Sequence, residues 1–234
     1  MRAVMLEAPE SLLDERRRLG HDLRDELWDS VLHMVPPPSS WHQRFGTRLL
    51  RALAPAAESR GLEVSYETGV YDPGKGDSDY RIPDLVFARP ERHSERGVEG
   101  AAELVIEILS ANDESRDKLP FYARVGVTEV WLVDPTTRAL EVYVLRGRTY
   151  HTALPDAAGV VHSPALDVDV ATIVGPQLRI VRAGDPDVVS GDILGGLPRK
   201  LERLVGRSRP AVSRGPGAAR RGHATKSGRS LRLA

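Results

Sequence analysis

Three residues whose types can support hydrolysis stand on short segments in the middle of the chain: Asp84 in RIPDLVF, Glu107 in LVIEILS and Lys118 in SRDKLPFYARVGV. Glu107 lies within a run of Leu, Val and Ile. Because a carboxylate removed from water without a partner is strongly unfavourable, its charge must be compensated. A solvent-facing side chain, a salt bridge or a metal ion would each do so.

Strand periodicity places Glu107 on a definite face of AAELVIEIL. Residues 103, 105, 107 and 109 share one face, and the opposite face is entirely apolar and is predicted to be core. Glu103 is expected near water at the strand start, with Glu107 deeper. If this strand pairs with residues 82–88, Asp84 and Glu107 lie side by side, where they repel unless a cation joins them or one is protonated. Mg²⁺ or Mn²⁺, with oxygen ligands, suits such a pair.

Lys118 stands where a cation is not favoured. Pro120 is tolerated only in a first helical turn, so a helix is predicted from Asp117 to Val125, ended by Gly126. Lys118 then lies at the positive end of the helix dipole. Lys118 is either a functional lysine or an exposed one, and both interpretations remain open. Two acids on a metal ion with one lysine describe a site that hydrolyses a phosphodiester.

The remaining pattern predicts the elements that position these residues. ESLLDERRRL is a predicted helix, ELWDSVLHMV a hairpin, and a second helix runs from Trp41 to Ser59 after a Ser39 or Ser40 cap. LEVSYETGVY, RIPDLVFA and AAELVIEIL are predicted strands, and EVWLVD pairs with ALEVYVL as a hairpin. These elements predict an α/β fold, a mixed central β-sheet flanked by helices with an extra N-terminal β-hairpin.

Composition limits the classes of protein. The chain has 234 residues and no cysteine, which excludes disulfides and thiolate zinc sites and fits a reducing compartment. No apolar run approaches the roughly 18 residues of a membrane span, and the N-terminus lacks the apolar core of a signal peptide. A cytoplasmic location without membrane association is therefore expected.

Charge is distributed unevenly along the chain. Residues 198–234 contain eleven Lys and Arg and one acid, a net charge of +10, which leaves −10 on the remainder. We expect one domain over residues 1–185 and a basic, disordered tail over residues 186–234. The tail can act as a sequence-independent grip on nucleic acid, or it can be a solvated tail of no specific role.

The order of these residues resembles the PD-(D/E)XK nuclease superfamily. More narrowly, MVPPPSSWHQRF, RIPDLVF, LVIEILS and DKLPFYARVGVTEVWLVDP resemble the Uma-type family of predicted bacterial endonucleases, over roughly residues 15–150. The resemblance implies a restriction-endonuclease-like core and a Mg²⁺- or Mn²⁺-dependent DNA endonuclease. DNA is then the expected partner, and a homodimer is allowed.

The resemblance also implies roles for particular residues. Asp84 and Glu107 match the metal-binding acids, the Ile108 carbonyl is a further candidate oxygen, and Lys118 serves the attacking water. The superfamily places its lysine two residues after the second acid, where this chain has Leu109. In the narrower family a lysine at the start of the following helix takes that place, as Lys118 does here.

Three further residues have open roles, and a fourth is assigned to the core. Glu67 is a further acid of the site or a solvent-facing strand residue, and His42 contacts substrate or packs at the helix start. Arg81 meets phosphate or pairs with an acid, and Tyr122 is assigned to the core.

Two other functions stay open: a catalytically inactive nucleic-acid-binding protein that retains the fold, and a structural or partner-binding protein of mobile-element or toxin systems.

Overall fold

The computed structural model describes residues 3–5, 9–110, 114–173, 177–182 and 185–190. The α-helices in these ranges are α1 (Glu10–Leu19), α2 (Ser40–Ser59) and α3 (Leu119–Val125). The strands are β1 (Ala3–Met5), β2 (Glu26–Trp28), β3 (Val31–Met34), β4 (Glu63–Tyr66), β5 (Val70–Tyr71), β6 (Tyr80–Arg81), β7 (Leu85–Ala88), β8 (Val98–Glu99), β9 (Leu104–Ile108), β10 (Glu129–Val133), β11 (Leu140–Arg146), β12 (Thr149–Thr152), β13 (Val160–Ser163), β14 (Val168–Ile173), β15 (Gln177–Arg182) and β16 (Asp185–Ser190).

The central sheet has the strand order β12-β11-β10-β9-β7-β4. Strands β9 and β10 are parallel and connected through α3, and their other neighbours in this sheet are antiparallel. Every residue of β9 and β10 is buried, because both faces of the sheet are covered. The predicted mixed α/β fold is confirmed, and the apolar face of β9 is core as expected.

A second sheet, in the order β1-β3-β2-β6-β5-β8, contains the predicted N-terminal hairpin. Its turn residues Asp29 and Ser30 have φ values of 49° and 70°, the left-handed backbone that tight hairpin turns require. The hairpin is not isolated, because Leu27 pairs with Tyr80 of β6. The hairpin therefore joins the same layer as the strands that precede Asp84.

Two predicted strands are each divided between the two sheets. The segment LEVSYETGVY forms β4 in the central sheet and β5 in the second sheet. Likewise RIPDLVFA forms β6 and β7, with Pro83, which has no amide hydrogen to donate, at the change of direction. The prediction of one continuous strand in each segment is wrong. Alternation cannot reveal this, because both halves keep the same apolar spacing.

The third sheet is an antiparallel meander in the order β13-β14-β15-β16. Strand β16 crosses the domain boundary that the sequence places after residue 185. The rest of the predicted tail, residues 191–234, lies outside the described residues, and so does the basic segment over residues 198–234. None of the described helices is long and apolar enough to cross a membrane.

Helix α2 begins where the serine cap predicts. Ser39 Oγ accepts a hydrogen bond from His42 N at 3.2 Å, and the helix continues through Pro55 to Ser59. Its buried face packs with the apolar residues of β9 into one core cluster. This packing holds the start of α2 against the C-terminal end of β9.

Helix α2 approaches the sheet closely at Gly46. A Cβ at this position would lie 2.8 Å from the Tyr66 hydroxyl and 3.1 Å from a side-chain carbon of Ile108. The Tyr66 ring cannot easily move away, because its hydroxyl donates to Gln43 Oε1. Glycine at residue 46 is therefore a packing requirement.

Gly46→Ala is expected to lower the free energy of unfolding by about 1–2 kcal/mol, since overpacking costs about 1–3 kcal/mol and exceeds the helix-propensity gain of at most about 1 kcal/mol. Urea unfolding would measure the change, with the exposed Thr47→Ala as control. An increase in stability in Gly46→Ala would show that the contact with Tyr66 relaxes freely.

The helix predicted over residues 117–125 has two parts. A 3-10 turn spans Ser115–Lys118, and α3 then runs from Leu119 to Val125. Gly126 ends it with a φ of 85°, as predicted. Lys118 stands at the junction, and its side chain is buried rather than exposed.

Candidate active site

The site lies where the chain passes between the central and second sheets. Strands β7 and β9 are antiparallel with Leu85 opposite Ile106, so the next position in this register sets Asp84 opposite Glu107. Ile108 N donates to Asp84 Oδ2 at 2.6 Å, which ties Asp84 to the end of β9. The two acids that the sequence singled out are thus brought side by side on adjacent strands.

A cavity of about 230 Å³ opens at this corner. The polar and charged side chains that line it are those of Arg24, Glu26, Ser39, His42, Glu67, Asp84, Glu107, Ser110 and Lys118. The three prolines at residues 36–38 form part of its wall. All three predicted site residues therefore line one cavity, which has four carboxylates in total.

Glu107 is compensated by an ion pair inside the protein. Its side chain is buried, Lys118 Nζ lies 3.0 Å from Glu107 Oε1, and the Tyr122 hydroxyl donates to the same oxygen at 2.6 Å. The salt bridge considered from the sequence is therefore present. Tyr122, which we assigned to the core, is buried, but its hydroxyl orients the acid.

Glu26 is an acid of the site that the sequence did not single out. Its Oε1 accepts a hydrogen bond from Lys118 Nζ at 2.7 Å, and it is 1% exposed. Ile82 N and Trp28 Nε1 donate to its two oxygens at 2.9 and 2.8 Å. In the sequence, Glu26 is simply an acid at the start of a short hairpin strand. Such an acid cannot be told from one that faces solvent.

Lys118 does not compensate both of its carboxylate partners equally. Burial acts to raise the pKa of Glu26, but Lys118 and the donors of Ile82 and Trp28 outweigh it, so that pKa is lowered. Burial raises the pKa of Glu107 to about 7, against the opposing effect of Lys118. Neighbouring Asp84 adds to this rise. The charge of Glu107 therefore remains incompletely compensated.

His42 lies in the site rather than only at the helix start. Its Nε2 is 3.1 Å from the Ile108 carbonyl oxygen and 3.4 Å from Asp84 Oδ1. Burial acts to lower the pKa of His42, but the hydrogen bond and charge of Asp84 outweigh it and raise that pKa. A protonated His42 would thus donate toward both oxygens.

Glu67 also reaches the cavity, from a turn rather than from a strand. It has a φ of 47°, and its amide donates to the Asp84 carbonyl at 3.0 Å. Arg24 Nη2 donates to its Oε2 at 2.8 Å, and Gln43 Nε2 donates to its Oε1 at 2.6 Å. Both oxygens of Glu67 are thus held by protein donors.

Arg81 and Leu109 lie outside the cavity. Arg81 is buried, and its Nη1 donates to Asp79 Oδ1 at 2.8 Å, so it pairs with an acid. Leu109 packs against the core cluster of α3 and β10. The position where the superfamily pattern has a lysine is therefore apolar here, and Lys118 supplies the ammonium group from the next element.

The donor set can be tested against Mg²⁺ or Mn²⁺. Among the described residues, no group of three or more His, Asp or Glu side chains is arranged to hold a metal ion. Asp84 and Glu107 with the Ile108 carbonyl still provide two carboxylates and one neutral oxygen, and Mg²⁺ commonly binds one or two carboxylates and keeps several waters. The residues fit such an ion, provided that His42 is neutral.

A mixed sheet whose adjacent strands bring two acids together, with a lysine from the connecting helix, defines a restriction-endonuclease-like protein. Residues 11–171 match the Uma2 family, described as "Putative restriction endonuclease". The match spans most of the chain and includes the whole candidate site. The chain belongs to the Uma2 family.

A solved structure supports the same fold. It is the crystal structure at 1.96 Å of "a putative nuclease belonging to DUF820" from Anabaena variabilis ATCC 29413. The two chains are 19% identical, with a TM-score of 0.50 over 66% of this chain and 89% of the other. At this identity the likeness concerns the fold. No curated protein sequence matches the chain.

Proposed function

We propose that the protein is a metal-dependent DNA endonuclease that hydrolyses phosphodiester bonds. The observation that carries the proposal is the placement of Asp84, Glu107 and Lys118 on one cavity, with Lys118 Nζ 3.0 Å from Glu107 Oε1. Membership of a family described as a restriction endonuclease supports the reaction class. DNA as the particular substrate is part of the proposal.

The proposed ligands of Mg²⁺ or Mn²⁺ are Asp84, Glu107 and the Ile108 carbonyl. When bound, the ion would neutralise charge on the phosphate and lower the pKa of an attacking water. The raised pKa of Glu107, about 7, supports this assignment because a buried carboxylate that is only partly compensated favours a nearby cation. His42 would then have to give up its proton, since its Nε2 faces the same oxygens.

Lys118 would orient the attacking water and stabilise negative charge that develops on the phosphate. Its ammonium group is held by Glu26 at 2.7 Å and Glu107 at 3.0 Å, so its position is set before substrate binds. An ammonium fixed in a site that excludes bulk water acts more strongly than the same group in water. Glu26 acts through Lys118 and is a positioning residue.

Two other parts of the proposal rest on the sequence. The basic segment over residues 198–234 would add a sequence-independent attraction to DNA. The absence of cysteine fits action in the reducing cytoplasm.

Plasmid cleavage with Mg²⁺ or Mn²⁺ tests the proposal directly. Asp84→Asn is expected to lower cleavage by at least about 100-fold, because the amide cannot supply the charge of a metal ligand. It is also expected to lose the rise in melting temperature that Mn²⁺ produces in the unsubstituted protein. The amide oxygen can still accept from Ile108 N, so the fold should persist.

Asp14→Asn is the control, since Asp14 is an exposed residue of α1 paired with Arg17. It should cleave and bind metal as the unsubstituted protein does. Equal cleavage by Asp84→Asn would identify a contaminating nuclease. Nucleic-acid binding without cleavage under any metal condition would favour the inactive binding protein instead.

A further inference from the structure

The exposed face of α2 carries a row of basic residues that the proposed chemistry does not use. Arg44, Arg48 and Arg51 follow Trp41 at spacings of three, seven and ten residues. At about 100° per residue, these four positions fall within roughly 80° of arc. The centre of this face lies about 120° around the helix from that of the face formed by Phe45, Leu49 and Leu53, which is buried in the core. Arg44 and Arg51 are exposed, and Arg48 is partly buried. We call these four residues the α2 stripe.

The arginines of the α2 stripe have no acidic partner among the residues that the structure describes. Within the described part of the chain, none of the three forms a hydrogen bond or an ion pair with an acid, unlike Arg16 and Arg24. The only acid within α2 is Glu58, near its C-terminal end. The stripe is therefore a concentrated positive charge on a body whose net charge up to residue 197 is −10.

A further cation lies near the middle of the α2 stripe. Burial lowers the pKa of Arg138, the charge of Asp134 acts to raise it, and the charge of Arg48 acts to lower it. The Arg138 guanidinium carbon lies 4.6 Å from the centroid of the Phe45 ring. Gathering like charges costs free energy, and a bound polyanion would reduce that cost.

The α2 stripe begins beside the cavity. Ser39 and His42, on either side of Trp41 in the chain, line the cavity. Trp41 is 49% exposed, and the Arg44 guanidinium carbon lies 5.2 Å from its ring centroid. An exposed indole next to arginines is suited to stacking on an unpaired base, because every base presents a π face.

We propose that the α2 stripe binds a single-stranded stretch of DNA as it leaves the cavity. Arg44, Arg48 and Arg51 contact phosphates within four successive nucleotides, and Trp41 stacks on a base. The arginines span roughly 10 Å along the helix at about 1.5 Å per residue, comparable to about three nucleotide rises of 3.4 Å. This inference rests on the proposed function in taking DNA as the substrate.

Binding can be measured apart from cleavage. A fluorescein-labelled single-stranded oligonucleotide is titrated with the full chain in EDTA, and anisotropy is followed over a series of salt concentrations. Replacing Arg44, Arg48 and Arg51 together with glutamine should weaken binding roughly tenfold or more, and should reduce the slope of log affinity against log salt by about 2. Trp41→Ala should weaken binding roughly tenfold, with little change in slope.

The matched control replaces Arg92, Arg146 and Arg148 with glutamine. These three are exposed and form no ion pair with the described residues, so the same charge is removed from elsewhere. The control should retain the affinity and salt slope of the unsubstituted protein. Circular dichroism and urea unfolding confirm that each variant is folded, as glutamine and arginine have similar helix propensities.

Three results would overturn the proposal. They are an unchanged salt slope in the α2 stripe variant, equal losses in the stripe and control variants, and unchanged affinity in Trp41→Ala. The first would assign binding to another surface, such as the basic segment over residues 198–234. Plasmid cleavage in Mn²⁺ separates the two proposals, because a protein that binds through the stripe but cleaves nothing would refute only the nuclease function.

Discussion

Replacing Lys118 with methionine is expected to lower DNA cleavage by about 10²–10⁴-fold, the usual contribution of a positioned acid–base or electrostatic group. It is also expected to lower the free energy of unfolding at neutral pH by about 3–5 kcal/mol, since removing one partner leaves buried charge uncompensated. Lys118 is 1% exposed and contacts both Glu26 and Glu107. Cleavage rates and urea unfolding would measure the two effects.

A second substitution separates the loss of activity from the loss of stability. Adding Glu26→Gln to Lys118→Met removes one of the two uncompensated carboxylates, so the double variant should regain part of the stability but none of the activity. Lys75→Met is the control, because Lys75 also pairs with acids, Asp29 and Asp79, but is partly exposed. Cleavage within tenfold of normal by folded Lys118→Met protein would show that Lys118 has no part in the chemistry.

The second large effect concerns Glu107 and pH. Burial raises the pKa of Glu107 from its usual 4.5 to about 7, so between these values the folded protein binds more protons than the unfolded chain. Stability of the metal-free protein should therefore be greatest at the acidic end of this window and fall as pH rises through it. At about 1.4 kcal/mol for each pKa unit, the free energy of unfolding should fall by about 3 kcal/mol across this window.

Glu107→Gln is expected to remove this loss. In EDTA above pH 7, the variant should be more stable than the unsubstituted protein, although it should no longer cleave DNA. Urea unfolding at a series of pH values would measure both curves. Glu103→Gln is the control from the same segment, where the acid is partly exposed and pairs with Arg89, and it should keep the pH dependence. Lower stability of Glu107→Gln at every pH would mean that the ion pair with Lys118 outweighs the cost of burial.

Local signals in the sequence predicted most elements of the fold. The Ser39 cap, Gly126 after α3 and the alternation in β9 each depend on neighbouring residues, so they can be read from a short window. The division of LEVSYETGVY and RIPDLVFA between two sheets could not be read in this way. A change of sheet depends on which distant strand offers hydrogen bonds, and that partner is not encoded locally.

The candidate site shows the same limit. Asp84 and Glu107 were singled out because an acid in an apolar strand conflicts with its surroundings, and that conflict is visible in the sequence. Glu26 was missed because its conflict arises only when the fold brings the hairpin next to Lys118. Lys118 was noticed for its place near a helix start, but its burial between two acids could not be foreseen.

The sequence by itself determined the residue types of the site, the mixed α/β pattern and the uneven charge, because these follow from composition and local periodicity. Only the tertiary structure decided that Lys118 lies between Glu26 and Glu107, that His42 and Glu67 share the cavity, and that the α2 stripe begins beside it. The physical reason is that burial, ion pairing and pKa depend on contacts between residues far apart in the chain. Lys118 and Glu26 are 92 positions apart, and their contact exists only after the sheets have packed.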